Sequence, residues 1–536
     1  MISASTCLAQ KAQDERERKI DQVFAAYDKT DSPGCALGVI QNGAFVYEKG
    51  YGMGSLELGV PLTPQSVTYM GSVSKQFTAA SVVLAAEQGY LALDDDVRKY
   101  VPEIPAYEKP VTIREMLHHT SGLRDVLGLL FLSGRNFEDI HATPELLDLL
   151  SRQKALNFSP GEEFLYSNSN YFLMSVVIRH ATGKPLSTFA EENIFKPLGM
   201  THTRFYDDHT VIVPGRIPAY APREGGGLRV DWSTNFDKIG DGGLLSSVDD
   251  LLLWDRNFYD NKLGKGTLLK ELQTQGVLNN GKTIEYALGL SISQYRGLPI
   301  VEHGGALFGY RTSILRFPQQ KFSVICLCNL ATANPDRLTK SVADIYLEGQ
   351  LAPEPKAEKA AAGTQLDPKA LAGSYREAES HSVYKVTADG GDLVLYGEHL
   401  KPVGPGRYSL GTTTEMQFDS PSGAEPRFII SLPDGNPRTF ERIQPVTPTA
   451  EELAQYAGEY QSSELQATYK FAVKDGKLIL SIGWQEPVTL EPTVRDEFES
   501  SVGVTLVFRR DGSGHITGCD LFAGRVRNIF FKRVSP

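Results

Sequence analysis

Three pairs of segments in the last third of the chain match at one offset. Leu371-Ala-Gly-Ser-Tyr375 matches Tyr456-Ala-Gly-Glu-Tyr460. Tyr384-Lys385 matches Tyr469-Lys470, and Gly391-Asp-Leu-Val-Leu395 matches Gly476-Lys-Leu-Ile-Leu480. One offset of about 85 residues, held three times, is an internal repeat, with each copy a structural unit. The shared texture is short alternating strands with Gly/Asp turns, so each copy reads as a small antiparallel sheet. Closure into an up-and-down barrel would remove its edges. Ahead of the repeats, Leu351 to Thr364 is rich in Ala, Pro and Lys and reads as a linker. The chain therefore divides into a tail (1–17), a main unit (18–350), the linker (351–365) and two barrel repeats (366–447 and 448–536).

Composition narrows what the main unit can be. Apolar content of 41% with 22% charged residues reads as soluble and globular. A formal charge of -11, with no local Lys/Arg block, argues against a nucleic-acid surface. No apolar run reaches about 18 residues, so no membrane span is expected. The five cysteines (Cys7, Cys35, Cys326, Cys328, Cys519) are odd in number and sparse, which is no disulfide framework. Cys326 and Cys328 fall on one face of a strand and read as buried packing. No Cys/His cluster has zinc spacing, and neither a metal nor a cofactor is expected. Met1 to Gln10 reads equally as the tail of a clipped signal peptide or as a disordered start. A periplasmic or secreted compartment is set only slightly ahead of a cytoplasmic one. A homo-oligomer is left open.

Along the main unit, Gln13 to Lys29 has the apolar stripe of an amphipathic helix. Asn42-Gly43 between two apolar runs predicts a hairpin. Met70-Gly-Ser-Val-Ser-Lys75 then opens a segment, Ser74 to Gln88, with few charges: a buried helix. A Ser-x-x-Lys there sets a hydroxyl and an amine one turn apart, and a neutral lysine can take the serine proton. The same spacing recurs at Ser151/Lys154 and Ser382/Lys385, but in a charged helical stretch and an alternating strand. Composition alone leaves a structural helix cap as an equal reading of Ser72. His118 and His119 read as hydrogen-bonded histidines in a helix-to-loop corner. Tyr166-Ser-Asn168 stands at a helix start, where the pair could face a cleft or Asn168 could merely cap. Gly240-Asp-Gly-Gly243 lacks the lysine of a phosphate loop. Four strands are expected between Ala287 and Asn329, with His303-Gly304-Gly305 at a strand end. Two glycines there admit a close backbone approach by a ligand, or simply make a turn.

Taken in order, Ser72-Val-Ser-Lys75, Tyr166-Ser-Asn168 and His303-Gly-Gly305 resemble the three motifs of the serine β-lactamase and penicillin-binding-protein-like hydrolases, in their class C-like, S12-type branch. Ile113-Arg-Glu-Met-Leu-His-His-Thr-Ser-Gly-Leu123, Ile194-Phe-Lys-Pro-Leu-Gly-Met200 and Tyr286-Ala-Leu-Gly289 match as well. With two trailing repeats, the architecture is similar to bacterial D-aminopeptidases of that family. The resemblance implies an α+β fold. A β-lactamase/transpeptidase-like domain, an antiparallel sheet with a helical subdomain, precedes two lipocalin-like barrels. It implies Ser72 as nucleophile, Lys75 and Tyr166 as the base pair, and Asn168 holding Lys75 and the substrate amide. His303, Gly304 and Gly305 would line the cleft, and the N–H groups of Ser72 and Ala306 would form the oxyanion hole.

The implied activity is acyl-enzyme hydrolysis of amide bonds in small D-aminoacyl or peptidoglycan-like substrates. A carboxylesterase is the alternative, and a non-catalytic penicillin-recognising protein a further one. The absence of G-x-S-x-G disfavours an α/β-hydrolase. His303 stands where β-lactamases usually carry lysine. A largely neutral imidazole there implies weak β-lactam turnover and a preference for substrates without an anchoring carboxylate. If the repeats reach over the cleft, removing Gly363 to Pro536 should broaden specificity.

Overall fold

Asn42 and Gly43 both adopt positive φ (53° and 75°) and close a hairpin between β1 (Cys35–Gln41) and β2 (Ala44–Tyr51). The computed structural model describes residues 4–231, 237–353, 366–410, 414–419, 425–431, 437–483 and 485–535. Most of the expected linker lies outside them, as do Met1 to Ser3. Cys7 lies in the first helix, and its side chain is not described.

The hairpin joins β3 (Ser291–Tyr295), β4 (Leu298–Leu307), β5 (Tyr310–Phe317) and β6 (Phe322–Cys328) in one antiparallel sheet of order β3-β4-β5-β6-β1-β2. Both faces of β1 are covered, and the strand's period of two sorts its residues between them. Cys35, Leu37 and Val39 pack against α1 (Ala4–Phe24) and α5 (Pro335–Tyr346) through Ile20, Phe24, Leu338 and Val342. Ala36 and Ile40 face the opposite layer, which holds α2 (Ser74–Glu87), α3 (Asn168–Thr182) and α4 (Val248–Asp260). α2 is buried from Ser74 through Ala85, as its low charge predicts. Each aliphatic side chain it hides contributes about 1.5–3 kcal/mol. Among the described residues, no helix is long and apolar enough to cross a membrane.

One expectation needs correction. β1 and β6 pair in register with Cys35 opposite Cys328, and the two are joined in a disulfide. Cys326 and Cys519 are free and buried. The sparse spacing hid the bridge, because its ends are brought together by the sheet register and lie far apart along the chain.

The repeats fold as two antiparallel sheets. The first has nine strands whose edges, Glu398–His399 and Lys401–Gly404, are separated by Leu400 alone, so the sheet curls almost to closure. The second closes fully with eight strands from Gly458–Ser462 to Val526–Ser535. The sequence match extends to a buried polar contact. Tyr375 Oη donates to the Leu371 carbonyl at 2.7 Å, and Tyr460 Oη to the Tyr456 carbonyl at 3.0 Å. The first repeat has its own apolar core, around Tyr375, Phe418 and Phe428. The second shares one continuous core with the main unit, in which Val526 and Ile529 join Val126, Leu129 and Leu130.

Candidate active site

Ser72 sits in the 3-10 turn Gly71–Val73 that opens into α2. Gly71 has φ 53°, and a Cβ there would stand 2.7 Å from the Ala306 nitrogen. The serine turn therefore lies directly against β4. Beyond Glu302, β4 pairs only with β5, which leaves its Gly305-Ala306 edge facing the turn. Gly305 is equally constrained, since a Cβ would fall 2.1 Å from the Met70 carbonyl and 2.3 Å from Thr312 Oγ1. These glycines are needed for close packing of backbone on backbone.

No side-chain cap bond starts either the turn or α2. The Ser72 hydroxyl instead meets Lys75 Nζ at 3.1 Å. The amine also donates to Asn168 Oδ1 (2.9 Å) and the Asp241 carbonyl (2.7 Å). Both are pure acceptors and consume two hydrogens. A neutral amine then turns its lone pair to Ser72, whose O–H donates. Lys75 is fully buried. Burial drives its pKa down to about 7, with Arg525 adding to the shift and Asp241 and Asp125 opposing it. The rival matches form no such pair. Ser151 Oγ donates to the Asp148 carbonyl while Lys154 reaches Ser463, and Ser382 pairs with Ser380.

Asn168 does not cap α3; Ser167 holds that position, without a side-chain bond. Asn168 Nδ2 and its backbone N–H both donate to Asp125 Oδ2, at 2.9 and 2.6 Å. That fixes the amide so that Oδ1 faces Lys75. Asp125 Oδ1 in turn caps the short helix Val126–Leu132 through Leu127 and Gly128. The residue was not anticipated, although Asp before an apolar run is a readable cap signal.

Tyr166 lies on the other side of the amine, with Lys75 Nζ 4.8 Å from its ring centre. Among the described residues, its buried Oη has no hydrogen-bond partner. Burial raises its pKa, and the nearby Ser72 hydroxyl and Arg525 only partly offset this. Tyr166 packs on His119 in a tilted pair (4.2 Å between centroids, 36° between planes) within an aromatic wall that includes Tyr171 and Tyr286. His119 Nδ1 accepts from Ser167 N–H and Asn170 Nδ2, as a corner histidine should. His118 likewise contacts the Arg114 and Thr274 carbonyls.

His303 closes the third side. Its Nδ1–H donates to the Gly304 carbonyl (2.7 Å), so Nε2 accepts from Tyr286 Oη (3.0 Å). Burial first, then the nearby Lys75 charge, lower its pKa to about 4. This wall holds a neutral ring where a lysine would hold a charge. The Gly240–Gly243 loop, discounted as a nucleotide loop, is a wall of the site. Gly240 and Asp241 offer their carbonyls to Thr78 and Lys75.

The second repeat also reaches the site. The hairpin between β7 (Ile516–Ala523) and β8 (Val526–Ser535) lays Arg525 over the Tyr166 ring, 4.8 Å from its centre. Beside it, a cavity of about 690 Å³ opens between the Glu162–Tyr166 segment and the first repeat, with Glu377, Arg438 and Glu441 in its walls. Ser72 and Lys75 do not line this cavity, which meets the chemistry only at Tyr166. No sequence signal marks Arg525, a turn residue in a strand-rich repeat.

A family model described as Beta-lactamase matches residues 20–346. A D-aminopeptidase of Gluconobacter oxydans is 26% identical over 528 residues, covering 94% of this chain and 96% of that protein. A D-aminopeptidase of Brucella anthropi is 26% identical over 537 residues, with the same coverage of each. Among solved structures, the octameric penicillin-binding protein homologue from Pyrococcus abyssi superposes with a TM-score of 0.56 at 22% identity. It covers 88% of this chain and 99% of its own, a likeness of fold. The matched segment spans more than half of the chain and holds the serine turn, α3 and the β4 edge that meet at the site. The protein therefore belongs to the beta-lactamase family.

Proposed function

We propose that the protein is a serine hydrolase that cleaves amide bonds of small D-aminoacyl substrates through an acyl-enzyme on Ser72. One observation carries this reading. The amine of Lys75 is buried and meets Ser72 Oγ, Asn168 Oδ1 and the Asp241 carbonyl; in its neutral form the two carbonyl oxygens take both hydrogens and leave the lone pair to the Ser72 hydroxyl. Lys75 takes the serine proton as Oγ attacks the carbonyl carbon. The N–H groups of Ser72 and Ala306 receive the oxyanion; losing one such donor typically costs about 2.7–4 kcal/mol of barrier. Tyr166, protonated at neutral pH, gives its proton to the leaving nitrogen and regains one from the Lys75 ammonium. The amine departs, and water then releases the acyl group by the reverse relay. Asn168 orients Lys75 and meets the substrate amide. His303, Gly304 and Gly305 shape the opposite wall. The D-aminoacyl preference is supported by the relatives named D-aminopeptidase, which align over nearly the whole chain, both repeats included.

The test is a substrate panel of D- and L-aminoacyl amides and short nitrophenyl esters, run with wild type and Ser72→Ala. D-aminoacyl amides should be turned over, and Ser72→Ala should lose about 10³-fold or more in kcat. Activity retained by Ser72→Ala, or an L-preference, overturns the reading.

A further inference from the structure

The loop from Lys238 to Gly243 carries a buried lysine of its own, paired with the residue that holds Lys75. Lys238 Nζ meets Asp241 Oδ2 at 2.5 Å, with both side chains buried. The backbone carbonyl of the same Asp241 accepts from Lys75 Nζ at 2.7 Å. Contacts on either side of Asp241 pin the loop. The Gly240 carbonyl accepts from Thr78 Oγ1 (2.7 Å), Gly243 N–H donates to Tyr69 Oη (2.9 Å), and Leu244 N–H donates to Ser74 Oγ (3.2 Å). Gly240 has φ 111°, and a Cβ there would stand 2.3 Å from the Tyr171 carbonyl. The Asp241 backbone is therefore fixed beside Lys75, and its short side chain keeps the carboxylate close enough to favour the ammonium.

The other groups around Lys75 show why this pair matters. His119 and His303 are held neutral by burial. Tyr166 and Tyr171, whose rings face the amine, keep their protons for the same reason. Among the described residues that leaves Asp241 and Asp125, which favour the ammonium, and Arg525, which opposes it. The Asp125 carboxylate is fully engaged: it accepts from the Asn168 N–H and Nδ2 and from the Leu127 and Gly128 N–H groups. Asp241 is not. Among the described residues its buried Oδ1 has no hydrogen-bond partner, while Oδ2 rests on Lys238. The Lys238 ammonium thus offsets the Asp241 charge. A bare carboxylate buried beside an amine would hold the proton on that amine.

We propose that Lys238 is a positioning residue for the Ser72 reaction: by pairing with the Asp241 carboxylate, it keeps that charge from fixing Lys75 as an ammonium and so keeps the base available. The inference rests on the hydrolase reading above but is read out on Lys75 itself. Full-length protein carrying lysine labelled with carbon-13 at Cε is titrated by NMR, the Lys75 signal being the one missing from Lys75→Met. In Lys238→Met the Lys75 midpoint, and with it the acid limb of kcat/KM on a D-aminoacyl amide, should rise by about one pH unit. Asp241→Asn should move both the other way. Lys238→Met/Asp241→Asn should bring them back near wild type, and Lys238→Arg, which keeps the charge, should leave them there. A midpoint that stays put in Lys238→Met, stays or rises in Asp241→Asn, or moves as far in Lys238→Arg as in Lys238→Met overturns the proposal; a pair that only closes the loop predicts no movement at all. If Lys238→Met does not fold, the direction of the shift in Asp241→Asn decides. Turnover judges the hydrolase reading separately. The expected midpoints without any turnover would sink that reading and leave the pairing standing, and turnover with an unmoved midpoint would do the reverse.

Discussion

In the proposed mechanism Lys75 is the base, and its burial bears on both activity and stability. Removing its ammonium from water lowers the pKa to about 7, so a large share of the enzyme holds a neutral base at neutral pH. Only that form can accept the serine proton. In pH profiles, kcat/KM should accordingly fall as pH drops through about 7, tracking one protonation. Arg525→Gln removes a positive charge that favours neutral Lys75, so its acid limb should move to higher pH; a downward shift would contradict the geometry. Stability carries the same signature with a definite sign. An unfolded lysine holds its proton to near 10.5, whereas the folded one loses it near 7. Between those values the unfolded state binds more protons, so this group's destabilising effect is complete below pH 7 and is relieved as pH rises. The melting-temperature difference between Lys75→Met and wild type should shift against the mutant from pH 7 to pH 10.

At the scale of elements, the site is a junction of three pieces held by backbone contact: the Ser72 turn, the start of α3 and the free edge of β4. Gly305→Ala tests the closest approach. Its methyl would overlap the Met70 carbonyl and Thr312 Oγ1 and push β4 away from the turn. Because misplacement by about 1 Å can cost about 100-fold in rate, a loss of that order in kcat is expected, with a lower Tm. Asp125 links two elements, capping one helix while orienting the Asn168 amide. Asp125→Ala should weaken that cap by about 1 kcal/mol and free the amide to rotate. A fall in activity well beyond what the stability loss explains would show that Asn168 orientation matters.

For the whole molecule, the second repeat is a structural part of the catalytic unit. Tyr469 Oη donates to the Leu132 carbonyl at 2.8 Å, and buried Arg124 takes three of its four partners from that repeat. Removing Gly363 to Pro536 would strip those partners from a buried guanidinium and expose the shared apolar core. The truncated protein should therefore aggregate or melt at a markedly lower temperature. That replaces the expectation of a folded enzyme with broader specificity. The first repeat has a separate core, so its contribution to the stability of the main unit should be far smaller.

The sequence by itself determined the parts whose signals are local. These are the Asn42-Gly43 hairpin, the buried helix behind Ser72, the two-fold repeat, and the three ordered motifs. In each case a periodicity, a turn chemistry or a short spacing acts over a few residues. Only the tertiary structure decided the rest. Cys35 and Cys328 meet because β1 and β6 pair in register. Burial lowers the pKa of Lys75 and raises that of Tyr166, because it disfavours the charged form of each. Arg525 reaches Tyr166 because a hairpin of the second repeat docks on Asp125 and Asn157. Desolvation, strand register and docking depend on which surfaces end up in contact, and no stretch of neighbouring residues encodes that.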